Sequence, residues 1–403
     1  MKNVLFMLDY YLPNASANGI CVSKIIEALR TGVESVSILC LSDEEGISTE
    51  GNVTIYRVKE PKRKLSVFEP IVFYAKWFVP LRNPIPTRRA LVELYVETGR
   101  KIISGDNIDT LVSVHLPIET LVATVTLQQY FPQLTIVPYM LDSMSGGHVP
   151  RFLPQRYTRW RKRRWEKRLF AHATKIVLME SAREHYVGHP ISAYWSSKAV
   201  YLNVPLLNSM QHFPRSKISD SRRITLAFCG LLNYPYRNIY YIIDVVKKME
   251  TPVNLVLVGE SNIANELIEI SNNEDRISYK GAMPHAKVEE ILEASDVLLN
   301  LGVTTPSAIS GKIFEYMSYG KPIVTTCSID NEASIPYVQR YPLGLIIDER
   351  KTVGSQAVLL DSFINNVIDK SVDHSLIVRT FFTSTPTAFC DFLTTLKAPD
   401  NEL

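Results

Sequence analysis

Short apolar runs and amphipathic stretches alternate along this chain. Runs rich in β-branched residues, with little polar alternation, recur in the first half at Asn3–Leu8 (NVLFML), Ser35–Leu41, Thr110–Val114, Thr135–Met140, Lys175–Met179 and Lys198–Leu202. Such runs suit strands buried on both faces, and the helical stretches between them imply parallel βαβ units. The pattern predicts a doubly wound α/β domain over residues 1–205. A second set follows at Ile224–Cys229, Val253–Gly259, Arg276–Gly281, Asp296–Leu301, Pro322–Cys327 and Leu343–Asp348, with a helix expected over Ile239–Met249. It predicts a second parallel-sheet domain over 223–375.

From about Asn203 the chain reads NVPLLNSMQHFPRSKISDSRR, rich in Pro, Ser and charge, which predicts an interdomain linker over 206–222. Residues 376–403 include FFTSTPTAFCDFLTTL, whose aromatic spacing predicts a C-terminal helix that completes the second core or returns to the first domain. Two α/β domains of this size are expected to leave a cleft at their strand ends, where ligands bind in open sheets.

Composition narrows the class. The 403 residues are 46% hydrophobic and 21% charged, which suits an ordinary globular protein with two cores. The net charge of +3 hides a local excess: nine Lys and Arg lie between Arg151 and Arg168 against the single acid Glu166. Attraction to a polyanion or a membrane is therefore expected to be local. Five widely spaced cysteines in apolar runs argue against a disulfide framework or zinc cluster. The N-terminal apolar run ends at Asp9, too short for a signal sequence, and no apolar stretch reaches bilayer-spanning length, so a cytoplasmic location is expected.

One stretch concentrates candidate chemistry. SAISGKIFEYMSYGKPIV, Ser307 to Val324, reads as loop, helix, turn and strand, with Gly320 stopping the helix and Pro322 opening the strand. Gly311 and Lys312 fall at the helix's first turn, where backbone N–H groups and an ammonium suit a phosphate. Glu315 lies one turn inside, and its carboxylate can accept from two vicinal hydroxyls of a sugar. The same spacing also fits a plain helix with one exposed ion pair. In the first half, NASANG (Asn14 to Gly19) is a small-residue loop before a helix over Ile20–Leu29, and small residues there let backbone amides approach a ligand.

GKIFEYMSYGKPIV closely resembles the donor-binding segment of family 4 retaining glycosyltransferases of the GT-B fold. The resemblance extends through the opening MLDYYLPNASANGICVSKIIEAL, the YMLDS strand end, AFCGLLNYPYRN, LVLVGE and ISYKGAMPHAKVEEILEASDVLLN. It implies an α/β protein of two facing Rossmann-like domains with parallel sheets and an interdomain cleft. The family's glutamate, seven residues, glutamate pattern places its ribose-binding glutamate on Glu315, whereas Ser307 stands at the first glutamate, the sugar contact. Ser307, Ser310 and Gly311 are then the candidates to take over that contact, with Lys312 facing the diphosphate. Gly230 matches the family's glycine after the second domain's first strand. Arg237 matches the second residue of its basic clamp, and Leu231 stands in place of the first. Asp142 matches an aspartate at a strand end whose usual histidine neighbour is Leu141 here. Gly19 is implied as a cleft residue, with Asn18, His115 and His148 as acceptor-side candidates.

The resemblance implies transfer of a sugar, with retention, from a nucleotide-diphosphate donor, a UDP-sugar favoured over a GDP-sugar. The acceptor is a glycan, expected to be lipid-linked, in cell-surface polysaccharide assembly such as capsule, exopolysaccharide or O-antigen. The leaving diphosphate gathers charge in the transition state, so Arg237, Lys312 and backbone amides are the expected stabilisers. No Asp-x-Asp spacing occurs, and neither a metal nor another cofactor is expected. In RFLPQRYTRWRKRRWEKRLF, over 151–170, Tyr157, Trp160, Arg164 or Trp165, and Leu169 recur near helical spacing among arginines. The aromatic Leu65–Leu81 stretch adds to the expectation of a basic helix lying on an anionic membrane. No nucleic-acid-binding module accompanies it, so nucleic acid is not an expected partner. Two alternatives stand beside the transferase: a catalytically silent GT-B subunit, motivated by Ser307 and Leu231, and a sugar epimerase of the same fold.

Overall fold

The computed structural model describes residues 3–62, 75, 77, 85–147, 149–150, 153–208, 223–306 and 309–396. Ser307, His148, most of the 206–222 segment and nearly all of the Leu65–Leu81 stretch lie outside the described residues. The chain forms two compact units: Met1–Pro205 with Pro386–Leu403, and Leu206–Thr385.

The first unit is built on β1 (Asn3–Tyr10), β2 (Ser35–Ser42), β3 (Gly46–Glu50), β4 (Val53–Lys59), β5 (Thr110–His115), β6 (Thr135–Met140), β7 (Ile176–Met179) and β8 (Ala199–Leu202). Their order is β3-β4-β2-β1-β5-β6-β7-β8, parallel except for β3, which runs antiparallel to β4 at one edge. The continuous apolar runs become strands covered on both faces. Val4 to Leu8 and all of β5 and β6 are buried, and each fully buried aliphatic side chain contributes about 1.5–3 kcal/mol. Leu5, Met7 and Leu39 pack under the helices Arg89–Gly105 and Ile118–Tyr130. The β3–β4 hairpin is not in the expected strand set. Its GISTE strand is wholly exposed and β4 is half-buried, so neither shows a continuous apolar run, and Gly51 at φ +61° makes the turn between them.

The C-terminal region divides. Helix His374–Thr380 belongs to the second unit, whereas helix Pro386–Thr395 belongs to the first. There Phe389 lies 4.7 Å from the Tyr139 ring, and the Cys390 thiol donates to Ile25 O in helix Ala17–Leu29 at 3.6 Å. All five cysteines are free and buried.

The second unit carries β9 (Ile224–Cys229), β10 (Val253–Val258), β11 (Ile277–Tyr279), β12 (Val297–Asn300), β13 (Ile323–Cys327) and β14 (Gly344–Asp348) in the order β11-β10-β9-β12-β13-β14, every pair parallel. Leu226, Phe228, Leu255, Leu299 and Val324 join the apolar faces of helices Ile239–Lys248 and Val353–Val367 in its core. Two glycines are dictated by close approach. A Cβ on Gly259, at φ +139°, would sit 1.8 Å from Gly230 O, and one on Gly302 would sit 2.2 Å from Thr326 O.

Helix Lys312–Met317 ends as its sequence suggests, with Gly320 at φ +62°. The next lysine has a structural task. Lys321 is buried, and its ammonium donates to Leu292 O at 2.9 Å, Glu293 O at 2.5 Å and Ser295 O at 2.7 Å. These carbonyls end helix His285–Ala294, so one cation satisfies three acceptors at the negative end of a helix. Lys321→Met keeps the length and removes the donors. It is expected to lower the unfolding free energy of the second unit by about 2–3 kcal/mol, read from its urea midpoint, since several charged hydrogen bonds are lost at a buried site. An unchanged midpoint would refute this role.

Candidate functional site

In both sheets the strand order reverses at the first strand of the unit. β1 is flanked by β2 and β5, and β9 by β10 and β12, so successive connections leave to opposite sides. The helices then separate above the carboxyl ends of the central strands, which opens a crevice there. The candidate residues collect at these two points.

In the second unit, Gly230 and Arg237 follow β9, and Ser310, Gly311, Lys312 and Glu315 follow β12. The two segments are joined by Tyr316, whose buried hydroxyl accepts from Cys229 N at 3.0 Å and lies 3.2 Å from Cys229 O. Burial pushes the Cys229 thiol up to about 12, with Lys312 opposing and Glu315 reinforcing the shift, as expected of close neighbours. Lys312 Nζ donates to Glu315 Oε2 at 2.9 Å, and 14% of the Glu315 side chain is exposed. The Lys–Glu pair of the plain-helix reading is therefore present, but at a partly buried position above strand ends. The helix is only six residues long, so its dipole adds less than expected, and the local cation is Lys312 itself.

Arg237 is held rather than solvated. One terminal nitrogen donates to Leu301 O at the end of β12, and the guanidinium lies 5.7 Å from the Phe228 ring centre. Desolvation lowers its pKa, with Tyr236, Tyr316 and Glu332 opposing. Its other nitrogens have no hydrogen-bond partner among the described residues. Ser310 is buried and its carbonyl accepts from Ile313 N at 3.1 Å in the first turn of the helix. Leu231, just after Gly230, is exposed.

Two residues at this point escaped the sequence reading. Asn300 ends β12 with no exposure, and neither its amide nitrogen nor its oxygen has a hydrogen-bond partner among the described residues. A buried unpaired amide costs about 1–3 kcal/mol, an expense characteristic of sites completed by a water or ligand. Glu332 is also buried, its Oε2 accepting from Ser334 N at 2.9 Å, and burial raises its pKa while Ser334 opposes. The available signal was a polar residue closing the apolar run VLLN; Glu332 gave none, being one acid in a polar turn.

In the first unit, Asn18 and Gly19 follow β1, His115 ends β5, and Asp142 follows β6. Asn18 Nδ2 donates to Leu116 O at 3.0 Å, tying the two central strand ends together. Burial raises the Asp142 pKa, and the carboxyl is near enough to Cys21 to raise that thiol as well. Two expectations change here. Gly19 does not offer a free amide, because its N–H donates to Ser16 Oγ at 3.0 Å, the N-cap of helix Ala17–Leu29. Glycine is required there because a Cβ would sit 2.1 Å from Tyr10 O. His115 is 4% exposed, and burial, followed by nearby Lys162, pushes its pKa down to about 4 while the Asp142 backbone opposes. Its ring supports the Asp142 turn as a neutral group and presents no exposed face to an acceptor.

The basic stretch forms helix Gln155–Leu169, but its apolar side is not a surface. Trp165 and Leu169 are buried, and Trp165 packs 4.8 Å from the Trp77 ring. Glu166, the lone acid, is buried and accepts from Ser145 N, Ser145 Oγ and Tyr186 Oη at 2.8–2.9 Å. The exposed face carries Arg156, Arg159, Trp160, Arg164, Lys167 and Arg168, with Arg164 5.0 Å from the Trp160 ring centre and Lys167 3.0 Å from that of exposed Tyr194. Helical spacing alone does not separate the core stripe from this surface stripe, because the two interleave along one run.

Residues 223–350 match the family described as Glycosyl transferases group 1. No curated protein sequence matches the chain. Among solved structures, Anabaena Alr3699/HepE in complex with UDP and glucose is similar over 98% of this chain and 100% of its own, at 13% identity and a TM-score of 0.65. A structure described as trehalose-6-phosphate from E. coli bound with UDP-2-fluoro glucose is similar over 98% of both chains, at 10% identity and 0.63. WaaG, a glycosyltransferase involved in lipopolysaccharide biosynthesis, is similar over 97% of this chain and 99% of its own, at 14% and 0.56. The chain has the GT-B fold. The matched segment of this GT-B protein contains Gly230, Arg237, Ser310, Gly311, Lys312 and Glu315, the described candidates of the second unit, whereas Gly19 lies outside it.

Proposed function

We propose that this chain is a retaining, family 4-type glycosyltransferase that moves a sugar from a UDP-sugar to a lipid-linked glycan in cell-surface polysaccharide assembly. The observation that carries the reading is the convergence of Arg237, Lys312 and Glu315 at the strand-order reversal between β9 and β12. Support for the donor comes from similar structures that hold UDP, with glucose or as UDP-2-fluoro glucose. Glu315 accepts from the ribose hydroxyls once its pairing with Lys312 is exchanged for ligand contacts, and Lys312 turns to the diphosphate. Arg237, already fixed by Leu301 O, offers its remaining N–H groups to the same phosphates, a preorganised cation where charge develops as the anomeric bond breaks. The acceptor hydroxyl gives its proton to the leaving phosphate oxygen on the same face, so no side-chain base is required. Asp142, whose raised pKa reflects burial, orients acceptor or donor hydroxyls.

Calorimetric titration of UDP checks the donor reading. Glu315→Ala is expected to weaken UDP roughly 10–100-fold, the loss of charge-assisted hydrogen bonds worth about 1.5–3 kcal/mol, and EDTA is expected to leave binding and donor turnover unchanged. Equal affinity in the variant would remove Glu315 from the site. UDP binding without turnover, whatever acceptor is supplied, would favour the silent-subunit reading that exposed Leu231 motivates.

The lipid-linked part rests on the exposed arginines of helix Gln155–Leu169. Among the described residues no helix is long and apolar enough to cross a membrane. A row of cations with Trp160 and Tyr194 beside them suits the headgroup region of an anionic leaflet instead. Sedimentation with phosphatidylglycerol vesicles at low salt should carry the protein down, and Arg159→Glu/Arg164→Glu/Arg168→Glu should leave it in the supernatant. Equal sedimentation of both would refute a role for this face.

A further inference from the structure

A cavity of about 290 Å³ opens in the first unit, lined by Tyr10, Ser42, Asp43, Lys59, Glu60, Pro61 and Lys62. Tyr10, Ser42 and Lys59 close β1, β2 and β4, so the cavity lies on the carboxyl edge of the sheet, the same edge that carries Asn18, His115 and Asp142. Its wall runs from Tyr10 on β1, beside the strand that His115 ends, to Lys59 on β4, which lies three strand spacings from β5 in the order β4-β2-β1-β5, about 14 Å at the usual spacing.

Its charges divide into committed and uncommitted ones. Glu60 is fully engaged: Oε2 accepts from Tyr10 Oη at 2.5 Å and Oε1 pairs with Arg88. Arg88 is fixed in turn by Glu119, which accepts from its backbone N at 2.9 Å. Tyr10 stays a neutral donor, its pKa raised to about 12 first by the Glu60 hydrogen bond. This wall is rigid and close to neutral. Lys59 and Lys62 remain, with no ion pair among the described residues, against Asp43 alone. Lys59 is the direct register partner of Ser42, which sets an ammonium beside a hydroxyl on adjacent strands. Two unengaged ammoniums, one carboxylate and one hydroxyl around a ring-sized cavity suit a polar ligand that carries negative charge.

We propose that this cavity binds an anionic group of the acceptor, a phosphate or diphosphate or a sugar carboxylate, at a position remote from the hydroxyl that is glycosylated. The assignment to the acceptor rests on the glycosyltransferase reading; the anion site itself does not. With UDP at saturation to occupy the second unit, inorganic pyrophosphate and D-glucuronate are titrated separately into the full chain, into Lys59→Ala/Lys62→Ala, and into Lys24→Ala/Lys101→Ala, which removes the same charge elsewhere on the unit. Thermal unfolding confirms that each variant is folded. One anion is expected to bind the parent chain and to lose at least tenfold in affinity in Lys59→Ala/Lys62→Ala, with less than twofold change in the control. Pyrophosphate as that anion identifies a phosphate ligand, and glucuronate an acidic sugar. No binding of either anion to the parent chain, equal affinity in the lysine variant, or equal weakening in the control would each overturn the proposal. If UDP itself does not bind, the donor reading fails, yet the comparison between lysine variant and control still decides the anion site.

Discussion

The hydrogen bonds between the Tyr316 hydroxyl and the backbone of Cys229 hold the candidate donor site together. β12 pairs with β9 only through Leu226 and Ala227, so by Cys229 the two strands have parted and the backbone on that side has lost its ladder partner. A buried peptide group cannot be left unpaired without cost. Tyr316 supplies the partner at the point where the strand order reverses, and in doing so fixes the helix that carries Lys312 and Glu315 against the segment that carries Gly230 and Arg237. The crevice and its lining thus have one physical origin: a parallel sheet that opens where its connections diverge, closed by one side chain from the next crossover.

The strands were legible where short runs rich in apolar residues recur between helical stretches: among the described residues twelve of fourteen strands coincide with such runs, most of them buried on both faces, with β8, β11 and β14 only partly covered. The β3–β4 hairpin was not, because an edge strand with one wet face carries a mixed pattern that resembles a loop. The site was legible in part for a similar reason. Lys312, Glu315 and Arg237 sit in a motif, so spacing and resemblance both reached them. Asn300 and Tyr316 act through burial and a contact nearly ninety positions away in one case, which local spacing does not encode.

Charge proved the least legible property. Lys312 and Lys321 lie in one short stretch and read alike, yet one pairs with Glu315 at the site and the other closes a helix with three carbonyls. In the basic helix, Glu166 and Trp165 turn inward while their arginine neighbours turn out, so a single run of sequence contains a core, a polar clamp and a surface. Gly19 likewise follows from a carbonyl that leaves no room for a Cβ, with no need of a ligand. For Lys321, Glu166 and Gly19 the deciding partner comes from another element of the fold.

Hydrogen–deuterium exchange with and without saturating UDP tests the central claim most directly. Nucleotide bound at the reversal between β9 and β12 predicts added protection in peptides covering 228–239 and 309–319, with little change across β10, β11 and β14. Protection confined to other parts of the chain, or none at saturating UDP, would contradict it.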